Sequence, residues 1–128
     1  MAVTISKSTV TGALMNTPIT VTKNLATADT DALAEVFTVT PTEQNTVLLI
    51  GGTGSGADGD MTYSIAAGVA WAGVVVTGTI TKNTEKMVPL DTAKVLSATG
   101  TIVITLTPAG TDKLVTDHAA YMKFLQLV

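Results

Sequence analysis

The clearest candidate for a chemical site is a glycine-rich segment, residues 51–60, with the sequence GGTGSGADGD. Residues 54–59 satisfy the pattern G-x-G-x-x-G of dinucleotide-binding loops, and an apolar run, residues 47–50, precedes the segment. A dinucleotide site also requires a helix directly after the glycines, because the amide groups at the helix N-terminus bind the pyrophosphate. Residues 61–65 instead alternate apolar and polar side chains, which predicts a strand. We interpret the segment as a loop between two strands and predict no nucleotide cofactor.

Metal binding is the second chemistry that this loop suggests, because Asp58 and Asp60 have the two-residue spacing of carboxylates in calcium loops. A hard cation needs more carboxylate ligands than the loop supplies, so we expect a solvated turn, with a structural cation as the alternative. The chain contains no cysteine and one histidine, His118, which excludes a thiolate site and a site of two imidazoles within one chain. We predict neither a metal site nor a cofactor.

Nucleophilic catalysis lacks its sequence pattern in this chain. His118 is the only candidate imidazole base, and its neighbour Asp117 points in a different direction on either a strand or a helix. Residues 54–56 (GSG) are not the G-x-S-x-G turn that exposes a serine nucleophile. We therefore predict that the protein is not an enzyme, that it has no catalytic residues, and that His118 is an ordinary surface histidine.

The charged residues limit the class of partner. All seven cationic side chains are lysines spread along the chain, arginine is absent, and the net charge is −3. This composition offers no basic patch to neutralise phosphates, so we predict no nucleic-acid binding. The longest apolar run, residues 65–76, is too short to span a bilayer, and the first residues lack the pattern of a signal peptide. We expect no membrane association and synthesis in the cytoplasm.

Threonine takes the place of charge on the predicted surface. The chain contains 25 threonines, and charged residues make up 13% of it, about half of the usual share. In residues 101–107 (TIVITLT), Ile102, Ile104 and Leu106 alternate with the other side chains. Because successive side chains of a strand point to opposite faces, this pattern predicts a sheet with one buried and one hydrated face. The scarcity of charge suggests a surface covered by a partner or by copies of the chain; the alternative is a small monomer hydrated by threonine.

Ten short segments show such alternation or an apolar run, and Gly, Pro, Asn and Asp separate them. They predict one all-β domain over residues 1–128, an antiparallel β-sandwich or jelly roll of about eight to ten strands. For residues 117–127 we favour a strand over a helix, and residues 28–35 are a further candidate helix. Residues 47–50 suit a strand buried on both faces, and Pro89 is expected to end a strand. The predicted strands are residues 3–5, 19–22, 37–40, 47–50, 61–65, 74–81, 86–88, 94–96, 101–107 and 121–128.

Four apolar residues are candidates for contact with a partner or another subunit. Residues 1–17 form a possible N-terminal arm, in which Val10, Leu14 and Met15 are the apolar anchors; a frayed terminus is the alternative. Trp71 lies among small residues in the sequence GVAWAG, where it either anchors a partner or fills the end of the core.

The order of the segments over residues 47–128 carries a further signal. An apolar strand, VLLI, is followed by a polar loop and by TYSIAAG. Next come WAG, a Val/Thr strand and KNTEK, and then VPLDTAK, a second Val/Thr strand and an apolar end. This order resembles that of the small head decoration, or cement, proteins of tailed bacteriophages.

The resemblance implies a structural virion protein with a β-sandwich or jelly-roll fold. Such a protein binds the major capsid protein on the outside of an icosahedral shell, reinforces the shell and has no catalytic residues. Because many weak contacts add up when subunits are linked, we expect a homo-oligomer, with a trimer favoured over a dimer. The alternative function is a carbohydrate- or surface-binding module of an adhesin or tail fibre. That function relies on exposed aromatic side chains, whereas we expect most of the five aromatic residues in the core.

Overall fold

The structure is a computed structural model, and it describes residues 3–10, 21–27, 34–53, 59–70 and 73–127. Of Val10 it describes the backbone only. These residues form two five-stranded sheets and one short helix, α1 (Thr92–Val95). The strands are β1 (Val3–Thr4), β2 (Lys7–Val10), β3 (Asn24–Leu25), β4 (Glu35–Val39), β5 (Asn45–Gly51), β6 (Met61–Ile65), β7 (Val76–Ile80), β8 (Glu85–Asp91), β9 (Ile102–Thr107) and β10 (Tyr121–Leu127).

The strand order is β1-β4-β9-β6-β7 in the first sheet and β2-β10-β5-β8 in the second, where β3 also pairs with β10. The predicted all-β sandwich of eight to ten strands is confirmed, and its sheets are mixed. The β1–β4 and β2–β10 pairs are parallel, and the other pairs are antiparallel. β1 and β2 are separated by Ile5 and Ser6 and join different sheets, so no hairpin imposes an antiparallel direction on either strand.

The core lies between the sheets and is made by alternate residues of the strands. In β9, Ile102, Ile104 and Leu106 are fully buried, whereas the residues between them are half-buried, which confirms the predicted alternation. Burial of each such side chain contributes about 1.5–3 kcal/mol to the free energy of folding. The other large side chains that are fully buried are Phe37, Phe124, Leu48, Ile50, Met61, Ile65, Ile80, Leu114 and Met122.

Two predictions for the second sheet are wrong. Residues 47–50 are not buried on both faces, because Val47 and Leu49 point to the outer face of the sheet and are only half-buried. Pro89 does not end a strand, since β8 continues through it to Asp91. β8 is the last strand in the order of its sheet, and an edge strand tolerates proline because the missing N–H need not join a ladder.

The predicted strand at residues 94–96 is also wrong. Its first two residues belong to α1, which begins because the Oδ1 atom of Asp91 accepts a hydrogen bond from the backbone N–H of Ala93 at 3.2 Å. An aspartate in this position satisfies an amide group that the first helical turn leaves unpaired. Within the described ranges, no helical segment combines the length and the hydropathy that a membrane span requires.

The predictions for three further segments had different outcomes. Of the residues 117–127, for which we favoured a strand over a helix, β10 confirms a strand at residues 121–127, whereas residues 117–120 belong to neither a strand nor a helix. For the predicted strand at residues 19–22, the described residues 21–22 are not in a strand, and β3 begins at Asn24, after the predicted strand has ended. Asn24 pairs with Met122 of β10. Most of the candidate helix at residues 28–35 lies outside the described residues, and its last residue begins β4.

Candidate interaction surfaces

The glycine-rich segment connects β5 to β6, and a strand occupies the place of the helix that a dinucleotide site requires. Asp60 Oδ1 accepts a hydrogen bond from the backbone N–H of Lys82 at 3.0 Å, which ties the end of the segment to the β7–β8 turn. Asp58 lies outside the described residues. In the part of the chain that the structure describes, no group of three or more His, Cys, Asp or Glu side chains is placed to hold a metal ion.

His118 is buried, so the prediction of a surface histidine is wrong. It is 2% exposed, and its Nε2 atom lies 3.0 Å from Oδ2 of Asp112, which is 5% exposed. The carbonyl oxygen of His118 accepts a hydrogen bond from the backbone N–H of Thr53 at 2.8 Å. These contacts hold the β9–β10 connection against the end of β5. The sequence contained no signal for this pairing, because its partners are six residues apart in an irregular segment.

The predicted contact residues are described only in part. Leu14, Met15 and Trp71 lie outside the described residues. The backbone of Val10 pairs with Leu127 of β10, which places Val10 at an edge of the second sheet.

Three exposed valines flank the sequence position of Trp71. Val69, Val74 and Val75 are 72%, 48% and 60% exposed, and all three belong to the β6–β7 connection. The backbone N–H of Val74 donates a hydrogen bond to the carbonyl oxygen of Lys94 in α1 at 3.3 Å, which anchors this connection. Exposed apolar side chains on an anchored connection are a candidate contact point for a partner.

Four of the five aromatic residues lie in the described ranges. Phe37, Phe124 and Tyr63 belong to the core, which confirms the prediction that most aromatic side chains are needed there. Tyr121 lies on the outer side of the second sheet and is 7% exposed. None of these four rings offers the open face on which a sugar would stack.

The outer face of the first sheet, here called the threonine face, is built from threonine, serine and valine. Cross-strand register aligns Thr107, Thr62 and Thr79 in one row, and Thr105, Ser64 and Thr77 in the next. Because each residue pairs directly with its neighbour, the hydroxyl groups lie side by side across β9, β6 and β7. The described outward positions carry no charged side chain; they are Thr4, Val36, Thr38, Thr62, Ser64, Thr77, Thr79, Val103, Thr105 and Thr107.

A shallow cleft lies on the threonine face between β6 and β7. Its volume is about 390 Å³, and Thr62, Thr79 and Thr107 are among its lining residues. The Tyr63 ring packs directly against Gly78, and this packing requires a glycine, because a Cβ atom there would lie 2.6 Å from the Oη atom of Tyr63. Burial of the Tyr63 side chain raises the pKa of its hydroxyl.

Lys86 covers the free edge of β7 beside this cleft. Its Nζ atom donates a hydrogen bond to the carbonyl oxygen of Thr79 at 3.4 Å and lies 5.5 Å from the ring centre of Tyr63. A lysine over an edge carbonyl hinders the addition of another strand. A partner can therefore contact the side chains of the threonine face, whereas Lys86 hinders the pairing of a further strand with the free edge of β7.

The outer face of the second sheet, here called the apolar face, has a different chemistry. Leu49 pairs with Met87 on one side and with Lys123 on the other, and in the neighbouring row Val47 pairs with Pro89 and Leu125. Met87 is 63% exposed and Leu127 is 42% exposed, whereas Val47, Leu49 and Leu125 are half-buried. The apolar face consists of Val47, Leu49, Met87, Pro89, Leu125 and Leu127.

One end of the apolar face carries a ring and three charges. The Tyr121 ring extends from β10 across Gly51 of β5, and its hydroxyl donates a hydrogen bond to Oε2 of Glu85 at 2.6 Å. Lys123 Nζ lies 3.1 Å from the same carboxylate oxygen, and Lys23 Nζ lies 4.2 Å from the ring centre. We call Glu85, Lys23 and Lys123 the lysine end of the apolar face.

These contacts shift two pKa values in opposite directions. The hydrogen bond from Tyr121, followed by the nearby charge of Lys123, holds the pKa of Glu85 below its usual range, although partial burial acts against this effect. Burial and the adjacent Glu85 carboxylate raise the pKa of Tyr121 to about 12. Tyr121 is therefore a neutral hydrogen-bond donor, and Glu85 a charged acceptor, at neutral pH.

The opposite end of the apolar face carries a negative charge. Asp91 ends β8, pairs with the exposed Asn45 of β5, and accepts a hydrogen bond from the side-chain amide of Gln44. Asp91 also caps α1. We call this the aspartate end of the apolar face.

Sequence reasoning missed the apolar face. The run at residues 47–50 was interpreted as a strand buried on both sides, and Met87 and Pro89 stood at the supposed end of another strand. A consecutive apolar run looks the same in a strand covered on both faces and in one whose outer face is exposed. The available signal was the position of Pro89, since proline within a strand indicates an edge of the sheet.

No protein-family model matches the chain, and no curated protein matches it.

Proposed function

We propose that this chain is a structural virion protein that binds the outside of a tailed-phage capsid and stabilises it as a decoration, or cement, protein. The segment order of residues 47–128 suggests the class. The observation that carries the proposal is the threonine face, a broad surface of hydroxyl and methyl groups without charge. The proposed partner is the major capsid protein, and the proposed role includes no catalytic step.

The threonine face suits contact with a large protein surface for two physical reasons. Docking of the face removes no charged group of this chain from water, and desolvation of an unpaired charge is the most costly event in forming an interface. Each threonine hydroxyl can donate and accept a hydrogen bond, so the face can match polar groups on a partner. With strands about 4.8 Å apart and a rise of about 3.3 Å per residue, the face measures on the order of 20 by 17 Å.

A face of this size gives a weak single contact, so the proposal includes a homo-oligomer. Linked subunits rebind at a high effective concentration, which converts several weak capsid contacts into stable attachment. The net charge of −3 and the absence of arginine favour a position on the capsid exterior over one that faces packaged DNA. The exposed valines of the β6–β7 connection, Val69, Val74 and Val75, are a further candidate contact in this proposal.

Co-sedimentation with undecorated phage heads tests the proposal. We expect the wild-type chain to pellet with heads saturably, and Thr79→Lys to bind at least about tenfold more weakly, since it inserts a charge into the contact. Thr22→Lys is the matched control: it makes the same substitution at an exposed position, where the backbone N–H of Thr22 donates a hydrogen bond to Oγ of Ser8 in the second sheet, and it should bind as the wild type does.

Each outcome of this experiment has a definite meaning. If the wild-type chain does not pellet with heads, the cement function is refuted for that capsid. If Thr79→Lys binds as well as Thr22→Lys, the threonine face is not the capsid contact. Reproducible hits on a glycan array, combined with failure to bind heads, would instead support a carbohydrate-binding module.

A further inference from the structure

We infer that residues 3–10, here called the strap, are exchanged between copies of this chain: the strap leaves its own sandwich, and the strap of a second copy takes its place. Each sandwich then contains two strands from a partner copy. This inference goes beyond the proposed function, because it concerns the free protein and needs no capsid. Its tests use the free protein, so they succeed or fail independently of the head-binding experiment.

The strap crosses one side of the sandwich from the first sheet to the second. β1 pairs with β4 at the edge of the first sheet, and β2 pairs with residues 124–127 of β10 at the edge of the second. These are the only parallel pairs among the described strands. Parallel neighbours are not joined by a tight hairpin, so the strap of another chain can make the same pairs as the chain's own strap.

Few buried contacts hold the strap in place. Ile5, which is 3% exposed, is the one buried side chain among those described in the strap. Its backbone N–H donates a hydrogen bond to the carbonyl oxygen of Thr38 at 2.7 Å, and the strap pairs with two residues of β4 and four of β10. A segment with few buried apolar contacts opens at a lower free energy than unfolding of the whole molecule requires. The strap can therefore leave while the sandwich stays folded.

The site that the strap leaves selects what binds there. Gln126 of β10 is 1% exposed, and its Oε1 atom accepts a hydrogen bond from the backbone N–H of Thr42 at 3.1 Å. Because a backbone N–H can only donate, this contact fixes the orientation of the side-chain amide. The Nε2 atom then donates to the hydroxyls of Thr42 and Thr9, each at 2.8 Å. An occupant without an acceptor at the position of Thr9 leaves a buried N–H group unpaired, which is unfavourable.

The strand register identifies the strap as the occupant of this site. Thr9 is the residue of β2 that pairs with Gln126. Lys7 pairs with Phe124, and its Nζ atom donates a hydrogen bond to the carbonyl oxygen of Thr40 at 3.0 Å, beyond the end of β4. A second copy presents the same residues in the same register, so exchange retains all of these contacts.

The chain after the strap is long enough for exchange. Ten residues, 11–20, separate Val10 from the next described residue, and the backbone N–H of Thr22 lies 3.4 Å from Oγ of Ser8. The two ends of this stretch are thus close together in one sandwich. Fully extended, ten residues span up to about 35 Å, which is comparable with the diameter of a domain of this length. The strap can therefore reach the same site on a neighbouring copy.

Disulfide trapping tests the exchange, because the chain contains no cysteine. Ser8 pairs with Leu125, at a separation that a disulfide can bridge. We mix Ser8→Cys and Leu125→Cys chains at about 1 mM, near the effective concentration of a short tether, and oxidise slowly. The linked heterodimer should form at least about threefold more than in a mixture of Ser8→Cys with Met87→Cys. Met87 is the control because it is 63% exposed and pairs with β5 rather than with the strap.

A chain that carries both Ser8→Cys and Leu125→Cys is the second arm. Oxidation at about 1 μM closes its strap on its own sandwich, since the intramolecular disulfide is favoured at this concentration. This closed variant should sediment as a monomer at about 1 mM, where we expect the wild-type chain to be partly oligomeric. A heterodimer yield with Leu125→Cys no higher than with Met87→Cys, a wild-type chain that stays monomeric, or a closed variant that oligomerises as the wild type does would overturn the inference.

A peptide of residues 1–10 tests the selection by Gln126. The acceptor is the full chain with Ile5→Ala, whose own strap is held less firmly because its buried side chain is truncated. We expect this peptide to bind at least about fivefold more tightly than the same peptide with Thr9→Val, which lacks the hydroxyl. Adding Gln126→Leu to the acceptor should remove the preference. Equal binding of the two peptides to the Ile5→Ala chain, or a preference that survives Gln126→Leu, would refute this role of Gln126.

Discussion

The lysine end of the apolar face depends on the missing side chain of Gly51, and Gly51→Ala is a sharp test of that dependence. A Cβ atom at this position would lie 2.6 Å from Oη and 2.8 Å from Cζ of Tyr121, and 3.0 Å from the carbonyl oxygen of Thr84. The ring can move away only by giving up its hydrogen bond to Glu85. We therefore expect the Tyr121 side chain to lift from the sheet and become more exposed.

The expected decrease in the free energy of unfolding follows from the contacts that Gly51→Ala breaks. A hydrogen bond to a charged group contributes about 1.5–3 kcal/mol, and the partial exposure of Glu85 places this one at the lower end of the range. With the loss of ring packing, we expect Gly51→Ala to lower the free energy of unfolding by about 2 kcal/mol. For a chain of this length, that corresponds to a decrease in Tm of roughly 6–10 °C.

Urea denaturation of a double-mutant cycle isolates this contact. In the Tyr121→Ala background, the cost of Gly51→Ala should fall by at least about 1 kcal/mol, because the clashing ring is gone. Gly100→Ala is a control for loss of glycine alone: Gly100 has a φ of +79° and open space at its Cβ position, so its cost should not change with residue 121. A cost of Gly51→Ala below about 0.5 kcal/mol, or additive effects of the two substitutions, would refute the close packing of the ring over β5.

Two further predictions concern stability. Glu85 has a folded-state pKa below its ordinary value of 4.5, so its contribution to stability is present above that pH and is lost as the pH falls through the folded-state pKa. Urea denaturation between neutral and acidic pH should therefore show that the stability difference between wild type and Glu85→Gln shrinks on acidification below about 4.5, and a constant difference would contradict this linkage. Ile104→Ala should lower the free energy of unfolding by about 2–5 kcal/mol, because it leaves a cavity between the sheets. Its neighbour Thr105→Ala, on the half-buried threonine face, should cost less than about 1 kcal/mol in the same denaturation assay, and similar costs would contradict the assignment of the two faces.

The prediction of the fold from the sequence succeeded where local patterns carry the information. Ile102, Ile104 and Leu106 alternate with more polar neighbours, and this period of two is a direct consequence of strand geometry. It failed at Pro89 and at residues 94–96. Whether a proline interrupts a strand depends on the strand's place at an edge, and the short helix α1 depends on the cap supplied by Asp91.

The candidate surfaces were predictable only in part. The hydroxyl-rich character of one sheet follows from the placement of threonine in the sequence, but the alignment of Thr107, Thr62 and Thr79 in one row is a matter of strand register. The burial of His118 against Asp112 has no local signature, because it depends on how the β9–β10 connection folds back. These features join segments whose pairing is decided by the packing of the whole chain.

The sequence by itself therefore determined that the protein is an all-β sandwich with little charge and a threonine-rich surface. Side-chain alternation, strand propensity and composition are local properties, and they act on every strand independently. Only the tertiary structure decided that the outer sides of the two sheets differ. It placed threonines outside one sheet, and outside the other it placed the apolar face, with Glu85 and two lysines at one end and Asp91 at the opposite end. The physical reason is that the outer face of a sheet combines residues from separate strands, and only strand order and register determine which of these residues become neighbours.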